Sequence, residues 1–293
     1  MNKILWTNST NSGLGDRLID IFLMSAYAKS LNSELYFDWR TFDGIHEWEL
    51  NNSERKVWEE IRYVDYLYEN FSNYFTLPSN VHINEDSVDC SVYVEFYLGG
   101  VYSPHSFHRK FLIDNISIED FLRHFYDSLD EFRPTIKLLD IVGDKVKVDI
   151  AVHLRRQDKV RLDSCPVTLR EDQISDLNIK TMDILNSLLS ESNNILYISS
   201  DDESEKEIYK NKYNGCSVDN FKISEIYEKT YVDIYMMSMC DTIILSQKHS
   251  SFSLFASLLK RSKFIYFYEE CQINIMEFNK LDNMIFYKNY KFT

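Results

Sequence analysis

Two adjacent arginines, Arg155 and Arg156, follow an alternating apolar run, with His153 just before them and the carboxylates Asp158 and Asp163 just after. A planar guanidinium fork matches phosphate oxygens two at a time, and the loop beyond a parallel strand's carboxyl end is where ligands bind, so this set suits holding a phosphate-bearing ligand. The plain alternative is a solvated loop, in which Arg, Arg, Asp and Lys make weak surface ion pairs. A site is favoured by the combination: a histidine closing the strand, two arginines beyond it, and a loop ended by Pro166 that keeps Asp163 close.

Three other stretches hold residues of the same kind. In NSTNSGLGDRL, Gly13 and Gly15 are two of only seven glycines in the chain and fall in the predicted loop between a strand and a helix. Leu18 stands where a third glycine of the dinucleotide fingerprint belongs, so that cofactor reading fails. In YISSDDESE, Asp201 and Asp202 come just beyond a predicted strand, and Asp202 also reads as a helix N-cap. In YVDIYMMSMCDTIILSQKHSSFSLFASLL, Asp233 reads as the start of a helix, where it could be a cap. Ser250 and Ser251 open an apolar helix, either as plain N-caps or as donors to an anion held at the helix N-terminus.

The elements that must position these residues follow from periodicity. Val146, Val148, Ile150 and Val152 alternate, which predicts an interior strand of a parallel sheet over Lys147–His153. Further strands are predicted at Ile195–Ser199, Asp241–Ser246 and Phe264–Tyr268, separated by helices at Asp172–Leu189, Glu203–Asn211, Tyr231–Met239 and Ser251–Arg261. Strands alternating with helices imply a mostly parallel sheet, and ligands of such sheets bind outside the carboxyl ends of the strands. Near the N-terminus, strands at Lys3–Thr7 and Glu34–Asp38 flank a helix with an apolar stripe from Leu18 to Leu31, a β-α-β unit.

From Thr41 to Lys145 the pattern loosens, with helices predicted at Asn52–Tyr68 and Ser117–Leu129 and a strand at Ser91–Tyr97. Tyr93, Glu95, His105 and His108 there are either sugar-contacting side chains or ordinary partly buried surface, and no third ligand accompanies the two histidines to make a metal site. Pro134–Asp144 is the expected connection between an N-terminal lobe, 1–140, and a C-terminal lobe, 141–293, whose last twenty or so residues are expected to pack back on the first lobe.

These stretches together resemble one family. VHLRRQDKV is similar to the His-x-Arg-Arg-x-Asp-Lys signature of the α1,6-fucosyltransferases and the bacterial Nod-factor fucosyltransferases, relatives of protein O-fucosyltransferases and α1,2-fucosyltransferases. GLGDRLIDIFLMSAYAKSLNSELYFDW, YISSDDESE and the Asp233–Ser251 stretch match in the right order. The resemblance covers the first forty residues and Val146 to Tyr268; the middle hundred match nothing. It implies a GT-B-type α/β fold, two Rossmann-like lobes facing across a cleft. It also implies an inverting transferase that uses a GDP-sugar, foremost GDP-fucose, as co-substrate and needs no metal.

By the same resemblance Gly13 and Gly15 would face the donor diphosphate. Arg155 would neutralise its β-phosphate, Arg156 would support the loop, and His153 would touch base or ribose. Asp202 would lie near the nucleotide, Asp233 would accept the two N–H groups of guanine, and Ser250 and Ser251 would hold the diphosphate. The family's general base is a glutamate some eight residues after the first arginine, where this chain has Asp163, one methylene shorter, with Asp158 or Glu95 as substitutes. A donor such as a GDP-heptose, or a GDP- or glycan-binding protein without catalysis, are the alternatives, the latter favoured by Asp163 itself. The expected acceptor is a glycan or glycolipid in bacterial-type surface polysaccharide synthesis.

Composition bounds the rest. The 293 residues, 44% of them apolar, supply one large or two ordinary cores, and a net charge of −14 speaks against nucleic acid as a partner. No two aspartates stand two apart, so the Asp-x-Asp metal clamp of GT-A enzymes is missing from the sequence. The five cysteines are scattered and never form a C-x-x-C pair, as expected of free thiols in a reducing compartment. The opening MNKILWTNST has too short an apolar run for a signal peptide, and no stretch reaches the roughly 18 apolar residues of a membrane helix, so a cytoplasmic location is expected. Lys260, Arg261 and Lys263 offer at most a peripheral membrane contact.

Overall fold

The computed structural model describes residues 3–7, 14–38, 71–83, 92–95, 116–143, 146–156, 171–190, 193–225, 227–247, 250–268 and 272–276. The chain divides into two compact units, with the break between Lys137 and Leu138.

The first unit holds a four-stranded parallel sheet. Strands β1 (Lys3–Thr7), β2 (Glu34–Asp38), β3 (Val81–Ile83) and β4 (Val92–Glu95) are ordered β3-β2-β1-β4. Helix α1 (Leu14–Ser30) crosses from β1 to β2 and packs on α2 (Ile118–Glu131). Its Leu18, Ile21, Phe22 and Leu23 are fully buried, and Phe22 meets the edge of Phe132 with ring centres 5.6 Å apart. Ser25 ties the layer together, donating to Asn80 Oδ1 at 2.7 Å and bonding the Ser128 hydroxyl at 3.0 Å. Ser117 caps α2 by accepting the Asp120 N–H at 3.0 Å, and α3 (Ile136–Val142) follows. Within the expected connection at Pro134–Asp144, residues Ile136–Val142 are therefore helical, and the break between units falls inside α3.

The second unit is a six-stranded sheet. It contains β5 (Ile150–Leu154), β6 (Leu196–Ser200), β7 (Cys216–Ser217), β8 (Thr242–Leu245), β9 (Lys263–Tyr268) and β10 (Gln272–Met276), ordered β10-β9-β8-β5-β6-β7. All neighbours are parallel except β10 on β9. Helices α4 (Glu171–Ser190), α5 (Glu203–Tyr213), α6 (Glu228–Ser238) and α7 (Ser251–Lys260) connect them. The even residues of β5, Ile150, Val152 and Leu154, join Leu185, Ile198, Tyr209 and Ile244 in one buried cluster. The central strand starts three residues later than the alternation predicts. Asp149 accounts for this: its side chain accepts the Ile195 N–H at 3.0 Å, and Lys147 beside it is exposed.

Strands β5, β6 and β7 run outward on one side, and β8 and β9 on the other, so the strand order reverses between β5 and β8. The chain leaving β5 and the chain leaving β8 go to helices on opposite faces of the sheet. That reversal opens a crevice at the carboxyl ends of the two strands, the usual ligand position of a doubly wound sheet.

Candidate functional site

The reversal point collects His153, Arg155, Arg156, Ser250 and Ser251 of the residues singled out in the sequence. Beyond Leu154, Arg155 is half-buried and Arg156 is buried. Beyond Leu245, Ser246 and Gln247 are fully buried, and Ser250 starts α7. The two exits are stitched together, the Ser246 N–H donating to the His153 carbonyl at 3.0 Å.

Ser250 occupies the N-cap position of α7 but makes no side-chain cap hydrogen bond. Its buried hydroxyl, and both polar atoms of the buried Gln247 amide, have no hydrogen-bond partner among the described residues. Buried polar groups are normally paired, because leaving one desolvated and unbonded costs about 1–3 kcal/mol. An unbonded buried hydroxyl at a helix start is suited to an anionic, hydrogen-bonding ligand, and the unbonded Gln247 amide follows the same strand.

On the α6–α7 face the odd residues of β5 and β6 line up, His153 opposite Ser199. The His153 ring lies 5.6 Å from that of Phe252 in the first turn of α7. Asp233 reaches this row from α6. It is the sixth residue of a helix that begins at Glu228, so the cap reading of Asp233 is wrong, the helix having started a turn and a half earlier. Its Oδ1 instead accepts the Tyr197 phenol at 2.6 Å, and Ser199 donates to it as well. Burial pushes its pKa up to about 7, against the lowering effect of those two hydrogen bonds and of Lys206. The same burial, with the carboxylate beside it, drives the Tyr197 phenol well above its ordinary value.

The remaining predicted residues fall as follows. Asp202 is the N-cap of α5, its Oδ1 accepting from the Glu205 N–H at 3.0 Å and the Ser204 hydroxyl at 2.6 Å. Those bonds hold its carboxyl below the usual range. Asp201 accepts the Arg156 N–H at 2.7 Å. Arg156 is held by the protein itself: each of its five guanidinium donors has a protein acceptor within 3.5 Å. Ser251 is half-buried in the first turn of α7. Gly15 lies in the first turn of α1 rather than in a loop, because the helix starts at Leu14. Gly13, Asp158, Asp163, His105, His108 and the helix expected at Asn52–Tyr68 lie outside the described residues, as do the side chains of Tyr93 and Glu95 and the chain end expected to pack on the first unit.

Motif and spacing did not point to Tyr197, Ser199, Asn178, Glu205, Ser246 or Gln247. A usable signal existed for Ser199 and Tyr197: polar groups at odd positions of an otherwise apolar strand face a polar neighbour. Glu205 is three residues after the cap, in the capping-box position, which disguised it.

The fold belongs to the doubly wound α/β class, with the strand order reversing at the site. In particular it is similar to the crystal structure of NodZ alpha-1,6-fucosyltransferase soaked with GDP-fucose, with a TM-score of 0.51 and 14% identity, covering 94% of this chain and 99% of that one. Fucosyltransferase NodZ from Bradyrhizobium gives a TM-score of 0.50 at 14% identity, over 94% of this chain and 98% of that one. POFUT1 in complex with GDP matches at a TM-score of 0.44 and 13% identity, over 89% and 95% of the two chains. No family model matches the chain. No curated protein sequence matches it either.

Proposed function

We propose that the protein is a glycosyltransferase that moves a sugar, L-fucose foremost, from a GDP-sugar to a glycan hydroxyl, with inversion and without a metal ion. The observation that carries this reading is the buried, unbonded Ser250 hydroxyl at the helix start after β8, on the chain that leaves the strand next to the one Arg155 follows. The leaving group of a GDP-sugar is a diphosphate, and a guanidinium with aligned N–H donors stabilises the negative charge it gains. The solved structures of this fold include a fucosyltransferase soaked with GDP-fucose, which agrees with that ligand class.

In the reaction the acceptor oxygen attacks the anomeric carbon while a carboxylate, Asp163, takes its proton. The bond between that carbon and the β-phosphate oxygen breaks, and Arg155, Ser250 and Ser251 take up the charge. A β-linked donor gives an α-linked product. His153 faces the ribose or base, Asp233 accepts from guanine, and Gly13 and Gly15 belong to the donor side. Surface glycans or glycolipids are the acceptor class. Among the described residues no helix is long and apolar enough to cross a membrane.

The test is GDP release from GDP-fucose, GDP-mannose and a GDP-heptose, with and without candidate acceptors and with and without EDTA. Wild-type protein is expected to consume GDP-fucose equally in EDTA, and Arg155→Ala to lose about 100-fold or more at unchanged circular dichroism. Full activity of Arg155→Ala, or loss in EDTA, would remove the mechanism. GDP binding with no turnover of any donor would favour the non-catalytic protein.

A further inference from the structure

Arg156 is 3% exposed, and its guanidinium is the hub of a polar cluster that reaches four elements. Nε donates to Glu205 Oε2 on α5 at 2.8 Å. One Nη2 proton goes to Asn178 Oδ1 on α4 at 2.8 Å and the other to the Ser246 hydroxyl at 3.0 Å, while Nη1 donates to the Ser246 carbonyl. Asn178 in turn donates to Glu205 Oε1 at 3.0 Å and receives the Tyr209 phenol at 3.1 Å. Thr181, fully buried, bonds the Ser246 hydroxyl at 2.9 Å. Glu205 itself is fixed by the Asp202 cap through its backbone N–H.

Two consequences follow. Arg156 has no donor left for a ligand phosphate, so its charge serves the protein interior. The guanidinium also clamps both exits of the reversal point at once: it bonds the Arg155 carbonyl after β5 and both oxygens of Ser246 after β8. The planar fork fixes direction as well as distance, which an ammonium cannot do.

We propose that Glu205 and Asn178 are positioning residues for the GDP-sugar site. They set the orientation of the Arg156 clasp and, through it, the placement of Arg155 and of the chain leading to Ser250. This inference rests on the GDP-sugar reading above. Neither residue touches ligand in this account; both act by holding the two loops in register, and misplacing a charged contact by about an ångström costs up to about 100-fold.

The experiment is a double-mutant cycle on GDP affinity, by titration calorimetry, with Glu205→Gln and Arg155→Ala made singly and together. Glu205→Gln keeps the shape and one acceptor, and is expected to weaken GDP about tenfold in the wild-type background and less than twofold in the Arg155→Ala background, because its effect passes through Arg155. Amide hydrogen exchange is expected to quicken in 154–156 and 246–251 and to stay unchanged in α7 beyond its first turn. Asn178→Ala, which removes one acceptor and no charge, is expected to give the same pattern and covers the case in which Glu205→Gln does not fold. Equal losses in both backgrounds, or an unchanged affinity and exchange pattern in both variants, would overturn the positioning role while leaving wild-type GDP binding intact. Wild-type protein that does not bind GDP would overturn the functional reading and the positioning role with it.

Discussion

The Tyr197 phenol donates to Asp233 Oδ1 across 2.6 Å, and this bond holds down a carboxyl whose pKa burial has pushed up to about 7. A carboxylate that is to accept the N–H groups of guanine must be ionised, so GDP affinity is expected to rise with pH through about 7 and level off above it. Tyr197→Phe removes a hydrogen bond that favours the ionised form and should move that midpoint upward. Titration calorimetry from pH 5.5 to 8.5 measures both; a flat profile in wild type would separate Asp233 from the base.

The same carboxyl sets a stability trend in the free protein. The folded pKa of about 7 lies above the unfolded value of roughly 3.9, so the folded state binds the proton more tightly. Stability from this group is present below the unfolded pKa and is lost as pH rises through the folded one. Asp233→Asn, which still accepts from Tyr197, is expected to resist urea better than wild type at pH 8 and about equally near pH 4, while binding GDP more weakly. Equal urea midpoints at pH 8 would contradict it.

Cap positions separate structure from ligand binding. Ser117 and Asp202 make cap hydrogen bonds and Ser250 makes none. Ser117→Ala and Asp202→Ala should each lose about 1 kcal/mol of stability. Ser250→Ala should stay within about 0.5 kcal/mol, or gain, because it removes a buried hydroxyl with no described partner, yet it should weaken GDP severalfold. Denaturant unfolding of the three variants, with GDP titrations of the last, checks the contrast.

In the first unit, Phe22 is fully buried against Phe132. Phe22→Ala is expected to cost about 3–5 kcal/mol, read from urea unfolding, because it leaves a cavity beside Phe132, itself packed on Phe71 and Phe75.

The alternating run before Arg155 and the apolar helices made the second unit legible, since buried parallel strands and amphipathic helices leave strong periods. Two short edge strands did not: β3 and β7 are three and two residues long and carry too few side chains to show alternation. Ser250 and Ser251 were legible as a helix start, but whether such a serine caps or binds depends on its rotamer and surroundings, which spacing does not encode. Asp233 was misplaced as a helix start because the preceding turn, Glu228 to Tyr231, is mixed in polarity, and its buried Glu228 caps a loop by accepting the Ser224 and Glu225 N–H groups. The Arg156 cluster was invisible for a different reason: Asn178, Glu205 and Ser246 stand 22, 49 and 90 residues from Arg156 and meet it only once the sheet forms.

The most direct test of a guanosine-diphosphate-sugar site at the β5–β8 reversal is a titration of GDP, UDP, CDP and ADP into wild-type protein and Arg155→Ala. GDP is expected to bind wild type at least about tenfold tighter than the other three, with most of that affinity lost in the variant. Equal binding of UDP, or GDP binding that survives Arg155→Ala undiminished, would contradict the account.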